Sequence, residues 1–147
     1  MEPVICSKTY SEVPFAHRQW CHAGHCSRIH GHNWSIEVIF QCKSLDENGF
    51  VVDFGNLKFL RDWIDDNLDH ACLLSSDDPE MDRFKQMQKD NLIKITTVSN
   101  ASCEGIAKHI FDIFDVMIRS ETSQRAWICK IELYEDSYNK VYYSKPS

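Results

Sequence analysis

The stretch "NWSIEVIFQC", Asn33–Cys42, alternates between apolar and polar side chains. The apolar members occupy every second position: Trp34, Ile36, Val38 and Phe40. A period of two in β-branched and aromatic residues predicts a strand with one buried face. His30 and His32 continue the same parity toward the N-terminus. A strand that begins at His30 would therefore project both imidazoles from the face that is buried further along.

A third histidine ends another alternating run, "YSEVPFAH", Tyr10–His17, which could lie beside the first strand. Three histidines on one sheet surface leave the fourth position of a zinc ion open, which is typical of a catalytic site. The alternative is a structural site made by Cys21 and Cys26 with the two later histidines. Its spacing, C-x4-C-x3-H-x-H, does not match zinc-finger spacings and is disfavoured.

The remaining histidines receive no metal role. His22 and His25 lie in the segment between Cys21 and Cys26 and are interpreted as loop residues. His109 falls inside a predicted helix without a second histidine nearby in sequence, which favours a structural role.

Downstream of the first strand, the pattern predicts a hairpin and then a helix. "LDENGFVVDF" supplies an Asn48-Gly49 turn followed by a short second strand. Asp53 is a candidate N-cap for an amphipathic helix over 56–67. The buried side of that helix is predicted from helical spacing: Leu57, Leu60, Ile64 and Leu68.

The C-terminal half contains a second clear helix and a second hairpin. Residues 75–98 are harder to interpret, although a short polar helix could begin at Pro79. The second helix runs from about Cys103 to Arg119, with Ser102 as its cap. "WICKIELYE", Trp127–Glu135, alternates again before "SYNK" turns the chain into "VYY". The fold class is α+β, with an antiparallel four-stranded sheet and two helices on one face.

Glu135 shares the parity of Trp127, Cys129, Ile131 and Leu133, which is predicted to be the apolar face of this last long strand. A carboxylate on a buried face is costly unless a partner is supplied. Glu135 is therefore either a candidate ligand-binding group or a glutamate at the edge of the sheet that faces water.

Composition fits one domain spanning 1–147, since 43% of the residues are hydrophobic and 26% are charged. The net charge of -6 argues against a nucleic-acid partner. No apolar run approaches the length of a membrane span and the N-terminus lacks a signal-peptide pattern, so we expect a cytoplasmic protein. Seven cysteines, an odd number, fit reduced thiols better than a disulfide framework.

Six motifs occur in the order found in one known family: "FAHR", "CSRIHGHNW", "VVDFGNLK", "LDH", "NASCE" and "LYED". The chain resembles the 6-pyruvoyltetrahydropterin synthase / 6-carboxytetrahydropterin synthase superfamily from about Phe15 to Tyr143. The resemblance implies a tunnelling fold (T-fold) that assembles into barrels as a homohexamer, a dimer of trimers with active sites between subunits. It also implies a zinc-dependent lyase acting on 7,8-dihydroneopterin triphosphate.

The resemblance also implies roles for individual residues. The zinc ligands of the "AHR" and "HGH" motifs correspond to His17, His30 and His32, and the catalytic cysteine corresponds to Cys26. Asp69 and His70 of "LDH" correspond to a second proton-transfer pair.

Substrate contacts are implied as well. Glu135 corresponds to the glutamate that anchors the pterin ring. Ser102 retains a hydroxyl in a motif that has lost its usual proline. Arg28 and Arg18 are candidates for the triphosphate or a carboxylate.

The spacing between Cys26 and His30, with three residues from the cysteine to "HGH", is typical of the 6-carboxytetrahydropterin branch on the way to queuosine-type deazapurines. The pyruvoyl-forming branch typically has a longer insertion there and is the alternative. A non-catalytic zinc-binding interaction module is a third hypothesis.

Overall fold

The computed structural model describes residues 4–146, which contain six strands and three α-helices. The strands are β1 (Ile5–His17), β2 (His30–Cys42), β3 (Cys72–Ser75), β4 (Ile95–Val98), β5 (Ala126–Tyr134) and β6 (Lys140–Tyr143). The helices are α1 (Lys58–Asn67), α2 (Met81–Lys89) and α3 (Cys103–Glu121). The strands form one mixed sheet in the order β4-β3-β1-β2-β5-β6, which confirms the α+β class. None of the helices within 4–146 is long and apolar enough to cross a membrane.

The strand predicted from "NWSIEVIFQC" is confirmed and begins at His30. It pairs antiparallel with β1 on one side and with β5 on the other. The alternating apolar side chains of β2 are fully buried in the core. Because neighbouring residues of a strand point to opposite faces, this burial also sets the direction of His30 and His32.

The sheet has two more strands than predicted. β3 pairs parallel with β1 and with β4, so the sheet is mixed rather than antiparallel. Each of these strands is four residues long, and all four residues of β3 are buried. Neither Cys-Leu-Leu-Ser of β3 nor Ile-Thr-Thr-Val of β4 alternates between apolar and polar residues, which is why the pattern in 72–98 gave no strand signal.

The helices lie on both faces of the sheet. Leu73 packs in the main core with residues of α1 and α3, which cover one face as predicted. Cys72 and Leu74 instead form a second cluster with Phe84 of α2. Alternate residues of a strand point to opposite faces, so α2 covers the other face at the β3–β4 edge.

The predicted hairpin after β2 is wrong in its second strand. The Asn48-Gly49 turn is present, with Gly49 at φ +82°, but residues 51–54 do not pair with β2. The edge of β2 that a hairpin would need is already bonded to β5. Arg125 binds the loop instead, since its guanidinium donates to the carbonyls of Ser44 at 2.7 Å and Val51 at 2.8 Å.

Helix boundaries differ from the predictions by up to two residues. Asp53 caps a 3-10 turn, accepting a hydrogen bond from the Gly55 N–H at 2.9 Å, and α1 begins only at Lys58. α2 begins at Met81 rather than at Pro79. Ser102 caps α3 as predicted, accepting from the Gly105 N–H at 3.1 Å.

A β-bulge in β5 corrects the predicted parity of that strand. Ile39 of β2 pairs with Lys130 and Phe40 pairs with Ile128, so Cys129 is an extra residue between them. The buried residues change from even to odd numbers across the bulge: Ala126, Ile128, Ile131 and Leu133. Glu135 therefore shares a face with the last two of these and not with Trp127 or Cys129.

Candidate metal centre

The three histidines predicted as metal ligands meet at one end of the main core. The β1–β2 register places His17 opposite His30 and Phe15 opposite His32. The ring centroid of His17 lies 4.6 Å from that of His30 and 5.5 Å from that of His32. All three rings project from the helix-covered face, where His17 is buried.

Backbone carbonyls orient two of the rings. His17 Nδ1 lies 2.7 Å from the Ala101 carbonyl oxygen, and His30 Nδ1 lies 2.8 Å from that of Arg28. A carbonyl only accepts hydrogen bonds, so Nδ1 carries the proton in both rings and Nε2 is left with a free lone pair. This is the arrangement in which metal-binding histidines are held. No sequence pattern identifies Ala101 as the residue that orients His17, because every residue has a backbone carbonyl.

Glu135, which directly follows β5, brings a carboxylate into the same cluster. Its Oε1 lies 3.2 Å from His32 Nε2 and 3.6 Å from His17 Nε2. One ligand atom from each of the three histidines and from Glu135 lies within 4.8 Å of the others. Both distances are below the roughly 4.2 Å that two metal bonds of ~2.0–2.1 Å can span, so one ion can contact both atoms of each pair.

The electrostatics of the cluster favour a bound cation. His17 Nε2 and His32 Nε2 are buried without a hydrogen-bond partner in the described structure. Burial lowers the pKa of His17, which keeps its ring neutral at pH 7. A neutral Nε2 lone pair then faces a carboxylate oxygen, and a cation between them would satisfy both. The residues present therefore fit a divalent transition metal.

Cys26 precedes His30 by four residues in the chain and lies in a 3-10 turn over His25–Ser27, where it is half-buried. Its sulfur does not belong to the group of mutually close ligand atoms. Its carbonyl accepts a hydrogen bond from the Gln19 N–H at 2.9 Å, which attaches the turn to the chain just beyond β1. Cys21, the other cysteine of the alternative finger, is also outside the group and is exposed.

Asp69 and His70 form a hydrogen-bonded pair, with 2.8 Å between Asp69 Oδ1 and His70 Nδ1. The His70 backbone is in the left-handed region at φ 59°, and its N–H donates to the Pro14 carbonyl at 2.7 Å. This bond attaches the pair to β1.

The exposed ring of His70 borders an open groove of about 500 Å³. The strand residues that line the groove include Pro14, Ala16, Gly31 and Asn33. These four alternate along β1 and β2 with Phe15 and His32, which line the groove as well, so most of its strand lining comes from the face opposite the metal-facing side. His70 is not a member of the group of mutually close ligand atoms, although His32 of that group also lines the groove.

The other candidate substrate contacts are scattered. Ser102 uses its hydroxyl oxygen as the helix cap described above. Arg28 has an exposed side chain, and its carbonyl orients His30. Arg18 is held by the Asp78 carboxylate at 2.6 and 2.7 Å, so its guanidinium is not free to bind an anion. The hydrogen bond to Arg18 lowers the pKa of Asp78, which keeps that carboxyl ionised at neutral pH.

His109 is separate from the cluster, as predicted. It is half-buried in α3, with its ring centroid 6.1 Å from that of Trp63, and burial lowers its pKa. His22 is exposed and accepts a hydrogen bond from the Gly24 N–H at 2.9 Å, which places it in the loop.

Residues 6–146 match the family model described as 6-pyruvoyl tetrahydropterin synthase. A curated protein of Rickettsia conorii, 6-carboxy-5,6,7,8-tetrahydropterin synthase, is 32% identical over 126 residues, which cover 84% of this chain and 88% of that protein. A protein of the same name from Bacillus subtilis is 33% identical over 90 residues, covering 61% of this chain and 51% of that protein.

Two solved structures share the fold. An uncharacterized protein from Wolinella succinogenes superposes with a TM-score of 0.83 at 18% identity, covering 99% of this chain and 100% of that one. The 6-pyruvoyl tetrahydropterin synthase of Caenorhabditis elegans superposes with a TM-score of 0.64 at 22% identity, covering 99% and 98% of the two chains.

We expect the purified protein to bind about one divalent transition metal ion per chain, and His32→Ala to lose it because a ligand is removed from the cluster. His25→Ala, on the neighbouring loop but outside the cluster, is the matched control and keeps the metal. Elemental analysis after dialysis measures both. Retention of the ion in His32→Ala and in His30→Ala would contradict the ligand assignment.

Proposed function

The chain belongs to the 6-pyruvoyl tetrahydropterin synthase family, and from this premise we propose that it is a zinc-dependent 6-carboxy-5,6,7,8-tetrahydropterin synthase. The substrate would be 7,8-dihydroneopterin triphosphate, and the products 6-carboxytetrahydropterin, acetaldehyde and triphosphate. The observation that carries the proposal is the histidine cluster with its orienting carbonyls, in a chain whose curated relatives bear that name. The proposed setting is queuosine-type deazapurine biosynthesis in the cytoplasm.

His17, His30 and His32 would hold the zinc. The bound ion would act as a Lewis acid toward side-chain oxygens of the substrate and make the adjacent C–H more acidic. The donor set supports zinc, since three imidazole nitrogens are ligands that zinc accepts in a catalytic site whose fourth position is left for the substrate. The hydrogen bonds from Nδ1 of His17 and His30 to backbone carbonyls would hold these two rings in place for the ion.

Cys26 would remove a proton from the substrate. Its half-buried turn lies next to the cluster in sequence and is attached to the end of β1. A thiolate is the reactive form of cysteine, and a nearby cation favours it. A positioned general base typically contributes ~100–10,000-fold to the rate.

Asp69 and His70 would form the second proton-transfer pair, with the carboxylate accepting from Nδ1–H and leaving Nε2 free. Because most of the strand lining of their groove comes from the other face of the sheet, we propose that they serve a zinc held by a neighbouring subunit. A homohexamer would supply that neighbour. Two short strands, β4 and β6, form the edges of the sheet, and pairing between copies would cover them.

Glu135 is the proposed anchor of the pterin ring. Its carboxylate lies on the metal-facing side, where a carboxylate without a partner would be costly. A ring N–H and an exocyclic amine are the paired donors that a carboxylate binds best. Its closeness to His32 means that anchoring the substrate would draw Glu135 away from the histidines. Ser102 and Arg28 are proposed as weaker contacts, to the substrate and its anionic groups.

The alternative activity is that of a 6-pyruvoyltetrahydropterin synthase, which also eliminates triphosphate. The three-residue spacing from Cys26 to the "HGH" histidines and the names of the curated relatives favour the carboxy-forming reaction. A non-catalytic zinc-binding module would need neither the Cys26 turn nor the Asp69–His70 pair.

Incubating the zinc-loaded protein with 7,8-dihydroneopterin triphosphate tests the function. We expect 6-carboxytetrahydropterin and acetaldehyde in equal amounts, measured by chromatography and by an aldehyde-coupled assay. A pyruvoyl product without acetaldehyde would refute the branch assignment. No consumption of the substrate would favour the binding module.

Cys26→Ala should bind the substrate but turn over at least ~100-fold more slowly, because the general base is removed. Cys21→Ala is the matched control, since it changes an exposed cysteine of the same loop. Single-turnover kinetics measures the chemical step directly. Normal turnover in Cys26→Ala would assign the base to another group.

Glu135→Gln should keep the zinc but weaken substrate binding by about 10- to 100-fold, the value of hydrogen bonds to a charged group. Titration calorimetry with the substrate in a Cys26→Ala background measures binding without turnover. Glu132→Gln, on the opposite face of β5, is the control. Unchanged substrate affinity in Glu135→Gln would show that Glu135 does not bind the pterin ring.

A further inference from the structure

Arg18 directly follows the proposed zinc ligand His17 and binds two separate segments at once. Its Nε and Nη2 donate to Asp78 at 2.7 and 2.6 Å, and its Nη1 donates to the Ser27 carbonyl at 3.0 Å. Ser27 is the residue after Cys26. One guanidinium therefore connects the chain beyond β1, the cysteine turn and the segment before α2.

The Asp78 side chain is fully buried, and that of Arg18 is 15% exposed. The guanidinium carbon also lies 5.4 Å from the ring centroid of Phe84 in α2. A two-point carboxylate–guanidinium contact fixes the plane of the guanidinium, which a single hydrogen bond would not do. The direction of Nη1 toward the Ser27 carbonyl is thus set by Asp78.

Neighbouring contacts hold the same two segments. The Trp20 indole N–H donates to Asp77 at 3.2 Å, next to Asp78. The Gln19 N–H donates to the Cys26 carbonyl at 2.9 Å. The segment before α2 is therefore bonded to residues 18–20, and residues 18–20 are bonded to the cysteine turn.

We propose that Asp78 is a positioning residue for the reaction, which acts through Arg18 to hold the turn that carries Cys26. This inference rests on the proposed function, in which Cys26 is the base. Displacing a general base by about 1 Å can lower the rate on the order of a hundredfold. The contact between Asp78 and Arg18, which holds the turn that carries Cys26, is therefore expected to affect kcat. The segment around α2, which covers the face opposite the metal, thereby contributes to the site.

Asp78→Asn tests the proposal. Asn keeps the shape of the side chain and can still accept from the Glu80 N–H, the bond that Asp78 Oδ1 makes at 2.9 Å. Asn loses the two-point contact with Arg18, because its amide nitrogen is a hydrogen-bond donor and would face an N–H donor of the guanidinium. We expect kcat to fall at least about tenfold with KM within about threefold and zinc content unchanged.

The matched control is Asp115→Asn. Asp115 is also buried and also binds an arginine and a backbone amide, Arg119 Nε at 3.0 Å and the Ile128 N–H at 2.9 Å. It lies on α3 and not at the cysteine turn. At a comparable loss of Tm, we expect kcat in this variant to stay within about threefold of the wild type.

Amide hydrogen exchange gives a readout that does not depend on activity. In Asp78→Asn the amides of Gln19, Ser27 and Arg28 should exchange at least about tenfold faster, while those of β2 are unchanged. Faster exchange confined to α2, or an equal loss of kcat in Asp115→Asn, would overturn the proposal. If the wild type does not turn over the pterin, the proposed function fails, and the exchange result alone decides whether Asp78 holds the turn.

Discussion

His17 and His30 face each other across β1 and β2, and the position of every other group in the metal centre depends on that register. Beneath them Phe15 and Trp34 stack with ring centroids 4.4 Å apart, and the Trp34 N–H donates to the Phe15 carbonyl at 3.0 Å. The Trp34 ring lies 5.0 Å from His17 and 5.2 Å from His32. The histidines therefore pack against two buried aromatic rings. A shift of one residue in the β1–β2 register would turn the histidines to the other face of the sheet.

The two faces of the sheet carry different parts of the proposed chemistry. The histidine cluster and Glu135 lie on the face covered by α1 and α3, whereas the Asp69–His70 pair borders a groove lined mostly from the other face. In the proposed function, a second copy of the chain brings the two groups together.

The local periodicity of apolar residues was sufficient to predict the long helices and strands. β2, α1 and α3 were predicted because each repeats its apolar pattern over several turns or several residue pairs, and burial then follows the pattern. The strands β3 and β4 escaped prediction because four-residue strands without alternation have no local signature. The bulge at Cys129 was not predicted either, because a single extra residue in β5 is recognised only from the pairing of β5 with β2. Predicting the hairpin after β2 failed for a related reason, since the strand edge it needed belongs to β5.

The amino-acid sequence by itself determined the α+β class, the histidines at alternate positions on a buried strand face, and the family to which the motifs point. Those features reside in the order and spacing of residues. Only the tertiary structure decided that Glu135 reaches the histidine cluster, that Ala101 orients His17, and that Arg18 is held by Asp78. These contacts join residues 60 to 118 positions apart in the sequence (Arg18 to Asp78 and His17 to Glu135 being the extremes). Their geometry arises from how the strands and helices pack, which no local pattern records.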